Sequence, residues 1–270
     1  MANRAIWEAP FDRISDRARA LGEILRPTDY LAARRFAKRY GVSLLDFPTA
    51  RRANLHLLPL WCDPRDGLVL DIGANEGSWT MEVLDIFPHV QVIAAEPGPE
   101  PLAILSSRFD EVPNVTIDPR AISDSSGVAT FHRTRASVFA SLLPPSNSLH
   151  ERYDLPGGPT DLLETFSVQT ATLDELVGER TVSLMKLDVQ GGEMDVLKGG
   201  AKVLERTAAI LIEVVFVPHY EGDATFPVLH EELAERGFEL FGLGPVFRLD
   251  GGPALWADAC YCRPDFEKGR

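Results

Sequence analysis

Between positions 68 and 262, short apolar runs alternate with longer stretches in which apolar residues return every three or four positions. The runs at 68–72, 90–95, 114–118, 182–188, 208–215, 237–242 and 255–262 predict strands. Their apolar residues fall at successive positions rather than alternate ones, the pattern of strands buried on both faces in a parallel sheet. The stretches at 78–87, 99–109, 193–204 and 225–236 predict the covering helices, the last with Phe226, Leu229 and Leu233 on one face. A doubly covered, mostly parallel α/β sheet is the expected fold class.

Positions 120–180 break the alternation. Ser123-Asp124-Ser125-Ser126-Gly127 predicts a turn between two short strands, and the polar segment 133–160, with Pro144-Pro145 and Pro156-Gly157-Gly158-Pro159, predicts a long irregular loop. Such loops bind or cover ligands, or are tolerated insertions. Ahead of the alternating region, Phe11, Ile14, Ala18, Leu21 and Leu25 mark one amphipathic helix stopped by Pro27, and Tyr30, Ala33, Ala37 and Tyr40 mark a second ended by Gly41. The expected organisation is a helical extension over 1–61 and one α/β domain over 62–270. The extension is read as packing on the domain, with a substrate lid or a homodimer contact as the alternatives.

Charge divides the chain in the same way. The whole carries −13, but residues 1–60 hold 11 Lys and Arg against 6 Asp and Glu, so the acidity lies in the α/β domain. An acidic surface repels phosphate backbones, which argues against nucleic acid as partner. Cys62, Cys260 and Cys262 cannot build a disulfide framework, and no stretch has the roughly 20 apolar residues of a membrane span. The expectation is a cytoplasmic protein without a membrane span.

The first run leads into chemistry. Leu68-Val69-Leu70-Asp71-Ile72-Gly73-Ala74-Asn75-Glu76-Gly77 passes from strand through a glycine turn toward a helix whose free amides face a ligand. The spacing Gly73-x-x-x-Gly77 lacks the G-x-G-x-x-G cradle of dinucleotide enzymes, which argues against NAD. The next strand ends in Glu96-Pro97, where a carboxylate is placed to accept the hydroxyls of a ribose. Asp71 at the end of the first strand suits an ammonium group. A nucleoside bearing a cationic amino-acid tail, S-adenosylmethionine, fits both.

These residues, with Ala121-Ile122-Ser123-Asp124 and Gly127 and above all Met185-Lys186-Leu187-Asp188-Val189-Gln190-Gly191-Gly192-Glu193-Met194-Asp195-Val196-Leu197-Lys198-Gly199, make the sequence resemble the FkbM family of methyltransferases over about 65–262. The resemblance implies a Rossmann-like fold of seven strands with an antiparallel last strand. It implies methyl transfer from S-adenosylmethionine, typically to a hydroxyl of a natural product or sugar. It also implies cofactor contacts from Gly73, Ala74, Asn75, Gly77, Glu96 and Pro97, with the segment around Ala121 near the adenine. A nucleoside-binding module without turnover, or an N-methyltransferase, is the alternative.

Asp188 and Glu213 end the fourth and fifth of the main-sheet strands and so share the carboxyl edge, where open α/β sheets bind ligands. His219 follows in the next loop and is read as general base for the acceptor hydroxyl, with the bland alternative of a surface histidine. Asp188 is read in both catalysis and cofactor binding, and Tyr220 and Glu193 as lining the acceptor pocket, Glu193 equally as a helix cap. Asp188, Glu213 and His219 would supply a partial shell for a divalent ion orienting a diol, but no pair has short ligand spacing and no metal is assigned.

Overall fold

The computed structural model describes residue 38 and residues 53–58, 62–146, 161–248 and 252–264. The chain divides into two units, Met1–His56 and Leu57–Arg270, and the two sheets and their helices belong to the second. The two N-terminal helices expected from the sequence, and residues 147–160 of the expected loop, lie outside the described residues.

The main sheet contains β1 (Leu68–Ile72), β2 (Gln91–Ala95), β3 (Val115–Asp118), β7 (Val182–Leu187), β8 (Ala209–Val215), β9 (Glu239–Leu243), β10 (Phe247–Arg248) and β11 (Ala254–Cys262). The order is β3-β2-β1-β7-β8-β11, with β9 and β10 both on the outer edge of β11. Pairing is parallel from β3 to β8 and antiparallel where β11 enters, so eight strands fill seven places and the last strand is the reversed one. This is the Rossmann-like order expected from the resemblance. The burial of β1 at all five positions, Asp71 included, goes with its central place: its faces need a layer on each side, and its buried main-chain edges need a strand on each side.

One face carries Leu70, Ile72, Met185, Leu187, Ile210 and Ile212 under the helices that follow β6, β7 and β8. These are α3 (Leu173–Val177), α4 (Glu193–Lys198), α5 (Ala201–Glu205) and α6 (Phe226–Glu235). The other face packs Ala94 against Leu105 and Phe109 of α2 (Pro99–Phe109), next to α1 (Ser78–Ile86). The single helix expected over 193–204 is two helices, broken at Gly199-Gly200. Glycine is a poor helix former, and the Gly199 carbonyl accepts from Asp174 N instead of from a helical amide. Asp174 then accepts from Val203 N and Lys202 N, capping α5.

A second sheet replaces the expected irregularity after 120. Strands β4 (Ala121–Ser123) and β5 (Gly127–Thr134) flank the expected turn, but they pair with β6 (Leu162–Thr172), not with each other. The sequence reading missed β6. Its residues alternate polar with apolar, burying Val168 and Thr170 while Ser167 and Gln169 face out, so it lacks the continuous apolar run that marked the other strands. Phe131 and Phe166, opposite in the register, pack with their rings tilted at 48° and 5.6 Å between centroids.

Candidate active site

A cavity of about 270 Å³ opens at the carboxyl ends of β1, β2 and β7. Three turns build its floor. After β1 the chain doubles back at Gly73, whose φ is +83°, and Gly73 N and Ala74 N both donate to Ala95 O at the end of β2. A Cβ on Gly73 would stand 1.8 Å from Asp188 O, so the close approach of the β1 and β7 turns requires glycine. Gly73, Asn75, Glu96, Pro97, Ala121 and Asp188 line the cavity.

Ala74 and Gly77 are not among the lining residues. Ala74 is buried, and Gly77 packs the turn against Leu105 and Phe109 of α2.

Glu96 is 6% exposed and accepts from Asn75 N at 2.9 Å and Gly98 N at 2.7 Å. Each carboxylate oxygen keeps a further lone pair for a ligand hydroxyl. Burial raises its pKa to about 7 against the opposing pull of those amides. Asp71, expected beside it, is fully buried and not part of the cavity lining. Its Oδ2 accepts from Thr80 Oγ1 at 2.6 Å, and Oδ1 has no hydrogen-bond partner among the described residues. Burial pushes its carboxyl up while Lys186, the residue opposite it in β7, pulls it down.

At the end of β7, Asp188 Oδ2 accepts from Lys186 Nζ at 2.9 Å and Oδ1 from Gln190 Nε2 at 2.7 Å. Burial works to lower the pKa of Lys186, but Asp188 and Asp71 outweigh it and hold the ammonium above its ordinary value. Glu213 is reached from Gln190 Nε2 at 3.3 Å and does not line the cavity. Burial, then the charges of Asp188 and Glu193, raise its pKa well above the usual carboxylate range. Gln190 itself went unassigned in the sequence. Its amide joins groups separated by up to 30 positions, a relation that no spacing rule reveals.

Glu193 is 4% exposed, opens α4 and accepts from Val189 N at 2.9 Å, which fixes the Asp188–Gly192 turn from within. Burial, with the charge of Asp188, pushes its pKa up to about 8. A carboxyl whose folded pKa lies above its unfolded value contributes stability that is present below about pH 4.5 and lost as pH rises through about 8. Glu193→Gln is therefore expected to reduce the decline of unfolding free energy between pH 5 and 8 by a few kcal/mol, read from urea denaturation at several pH values. An unchanged pH slope would contradict that assignment.

His219 stands apart from the cavity lining, with its ring edge-on to Trp256 at 5.5 Å and its Nε2 buried without a hydrogen-bond partner among the described residues. Burial lowers its pKa to about 4, so it is neutral and weakly basic near pH 7. His219 thus lies in the loop after β8 as expected, but its ring is turned away from the cavity lining and burial makes it a weaker base than the expected role assumed. Among the described residues, Asp188, Glu213 and His219 do not form a group able to hold a metal ion. Tyr220 is 3% exposed, and its hydroxyl lies 3.0 Å from Phe139 O and 2.9 Å from Gln190 Oε1. It stands behind the cavity wall. Ser137, Val138, Ala140, Leu142 and Leu143, all within the expected loop, form the wall facing the glycine turn.

The residues present fit a nucleoside-bearing cofactor: an acid at the end of β2, a glycine turn with no room for a side chain, and the apolar surfaces of Ile122 and Phe131 for a flat base. Among the described residues, no helix is long and apolar enough to cross a membrane.

Comparison with known proteins gives a match to the methyltransferase FkbM domain over residues 71–240. The chain is 31% identical over 171 residues to the 2-O-methyltransferase NoeI of Sinorhizobium fredii, covering 58% of this chain and 67% of that protein. It is 27% identical over 153 residues to the hexuronic acid methyltransferase AglP of Haloferax volcanii, covering 55% of this chain and 56% of the relative. A solved structure of a putative RNA methyltransferase from Pyrococcus horikoshii aligns over 80% of this chain and 84% of its own at 10% identity and a TM-score of 0.43, a likeness too distant to add to the topology above.

Proposed function

The chain belongs to the FkbM methyltransferase family, and from that premise we propose that its cavity binds S-adenosylmethionine and transfers the methyl group to a hydroxyl of a small molecule, a sugar or another natural product. The observation that carries this reading is the meeting of the Gly73 turn, Glu96 and Asp188 around one cavity at the strand carboxyl ends. Bound there, the cofactor supplies an electrophilic methyl on a positive sulfur. Glu96 accepts the ribose hydroxyls, and the turn from Gly73 to Asn75 brings main chain against the ligand. Ile122 and Phe131 pack on the base. NoeI, named a 2-O-methyltransferase, supports an oxygen acceptor, and AglP, named a hexuronic acid methyltransferase, supports a sugar acid as the acceptor class.

In this reading Asp188 receives the hydroxyl proton. It is the carboxylate at the end of β7 that lines the cavity, and Lys186 and Gln190 hold both of its oxygens so that it meets the acceptor in one orientation. His219 is not used. Glu213 and Glu193 act from behind the wall.

Calorimetry with S-adenosylmethionine, with NAD as control, tests the cofactor. Saturable binding of the former alone is expected. Glu96→Ala is expected to weaken it by about ten- to a hundredfold, since hydrogen bonds to a charged group contribute about 1.5–3 kcal/mol. Equal affinity in the variant would remove the ribose assignment.

A further inference from the structure

We propose that Gln190 is a positioning residue that ties the cover of the cavity to the carboxylates at its floor, so that seating the cover and orienting Asp188 are one event. The consequence for catalysis rests on the methyltransferase reading; the junction itself does not.

The cover is the segment 137–146. Its near end is held by Asn75 Nδ2, which donates to Ser137 Oγ at 3.4 Å. Its far end is held by the loop after β8, where Ser146 N donates to His219 O at 2.8 Å and Glu221 N to Pro144 O at 3.0 Å. Between them, Ser141 Oγ donates to Gln190 O at 2.6 Å, and the Tyr220 hydroxyl is shared between Phe139 O and Gln190 Oε1. From the same amide, Nε2 reaches Asp188 and Glu213. Gln190 therefore accepts from Ser141 of the cover at its main-chain oxygen and, at its side chain, from Tyr220, which also reaches the cover at Phe139 O, and it donates to the floor.

An uncharged group that offers both an acceptor and a donor can do this among so many acids. Asp188, Glu193, Glu213 and Asp223 all bear on Tyr220, and Lys186 is occupied by Asp188. The backbone is built around the junction as well. Gln190 sits at φ +58°, unfavourable for a residue with a side chain, and Gly191 follows at +96°. An atom of the Tyr220 ring lies 2.9 Å from where a Gly191 Cβ would stand, so that glycine makes room for the ring against the turn.

Hydrogen–deuterium exchange of the full chain, without ligand and with S-adenosylhomocysteine, tests the junction. Tyr220→Phe and Gln190→Ala are each expected to raise exchange of amides in 137–146 about tenfold, with β7 unmoved. Because both act through one amide, the double variant should show less than the product of the two effects. Gln190→Glu keeps an acceptor for Tyr220 but sets another acid against Asp188 and Glu213. Corrected for intrinsic exchange and measured relative to the wild type at each pH, since Glu193 and Glu213 titrate in the same window, its cover should open at about pH 8 and close again at about pH 5.5, where the added carboxyl is protonated and can donate. A purely packing role would show no such recovery. Wild-type protection in Tyr220→Phe and Gln190→Ala, or equal exchange of Gln190→Glu relative to the wild type at both pH values, would overturn the proposal. Failure of S-adenosylhomocysteine to bind would instead count against the cofactor, because the unliganded exchange reads the junction alone.

Discussion

Gly73→Ala is expected to abolish cofactor binding and to destabilise the fold by about 3–5 kcal/mol, summed from left-handed backbone strain and overpacking. The added methyl would sit 1.8 Å from the main-chain oxygen of Asp188, with no flexible side chain there to swing aside. Relief requires parting the β1 and β7 turns, held by Asp188 N donating to Ile72 O at 3.0 Å, or lifting Gly73 N and Ala74 N from Ala95 O. Either movement dismantles the floor beside Glu96. Gly222→Ala is the matched control: its φ is +84°, but nothing lies within 4 Å of the new methyl. It should cost only the strain, about 1 kcal/mol. Urea unfolding of both variants, with calorimetry of S-adenosylmethionine, separates backbone strain from steric overlap. Equal losses in the two variants would show that the overlap is relieved.

Asp188→Asn is expected to leave most of the cofactor affinity and remove most of the turnover. Loss of a positioned proton acceptor costs about 10²- to 10⁴-fold in rate, whereas S-adenosylmethionine affinity should change less than tenfold. Lys186 would lose its ion-pair partner at 2.9 Å while only 17% exposed. Breaking a fully buried pair costs about 3–5 kcal/mol; here residual exposure and the nearby Asp71 should reduce that to about 2 kcal/mol. Methyl transfer under single-turnover conditions, set beside calorimetry and urea unfolding, reads the three effects separately. Parallel losses of affinity and turnover would move Asp188 from proton transfer to cofactor binding.

How far the sequence was readable depended on what kind of burial each element has. Strands β1, β7 and β8 are buried on both faces along nearly their whole length, and the expected bounds agree with the observed ones to within a residue. Strand β6 has only one buried face and was lost in a polar stretch, and with it the whole second sheet. For the site, residues fixed by the main chain were legible: Gly73, Glu96 and Asp188 occupy strand ends, and all three line the cavity.

Residues whose part depends on side-chain direction were not legible. His219 follows β8 as expected, but its ring turns to Trp256. Asp71 ends a strand beside the glycine turn, yet alternation along β1 sends its carboxylate to Thr80. Gln190 lay inside the most specific motif and gave no sign of its part, because its partners at Ser141, Glu213 and Tyr220 come from three other segments.

The strand order carries a consequence for synthesis. β1 takes β2 as one neighbour almost at once, but its other neighbour, β7, brings Val182 beside Leu68 only after the entire second sheet has been made. Until then a strand whose five residues are all buried in the finished fold has one open edge, and loop closure across so long a span is slow. A nascent chain stopped before β7 should therefore remain protease-sensitive and bind chaperones, and the floor of the cavity, which needs the turns of β1 and β7 together, should be among the last parts to form.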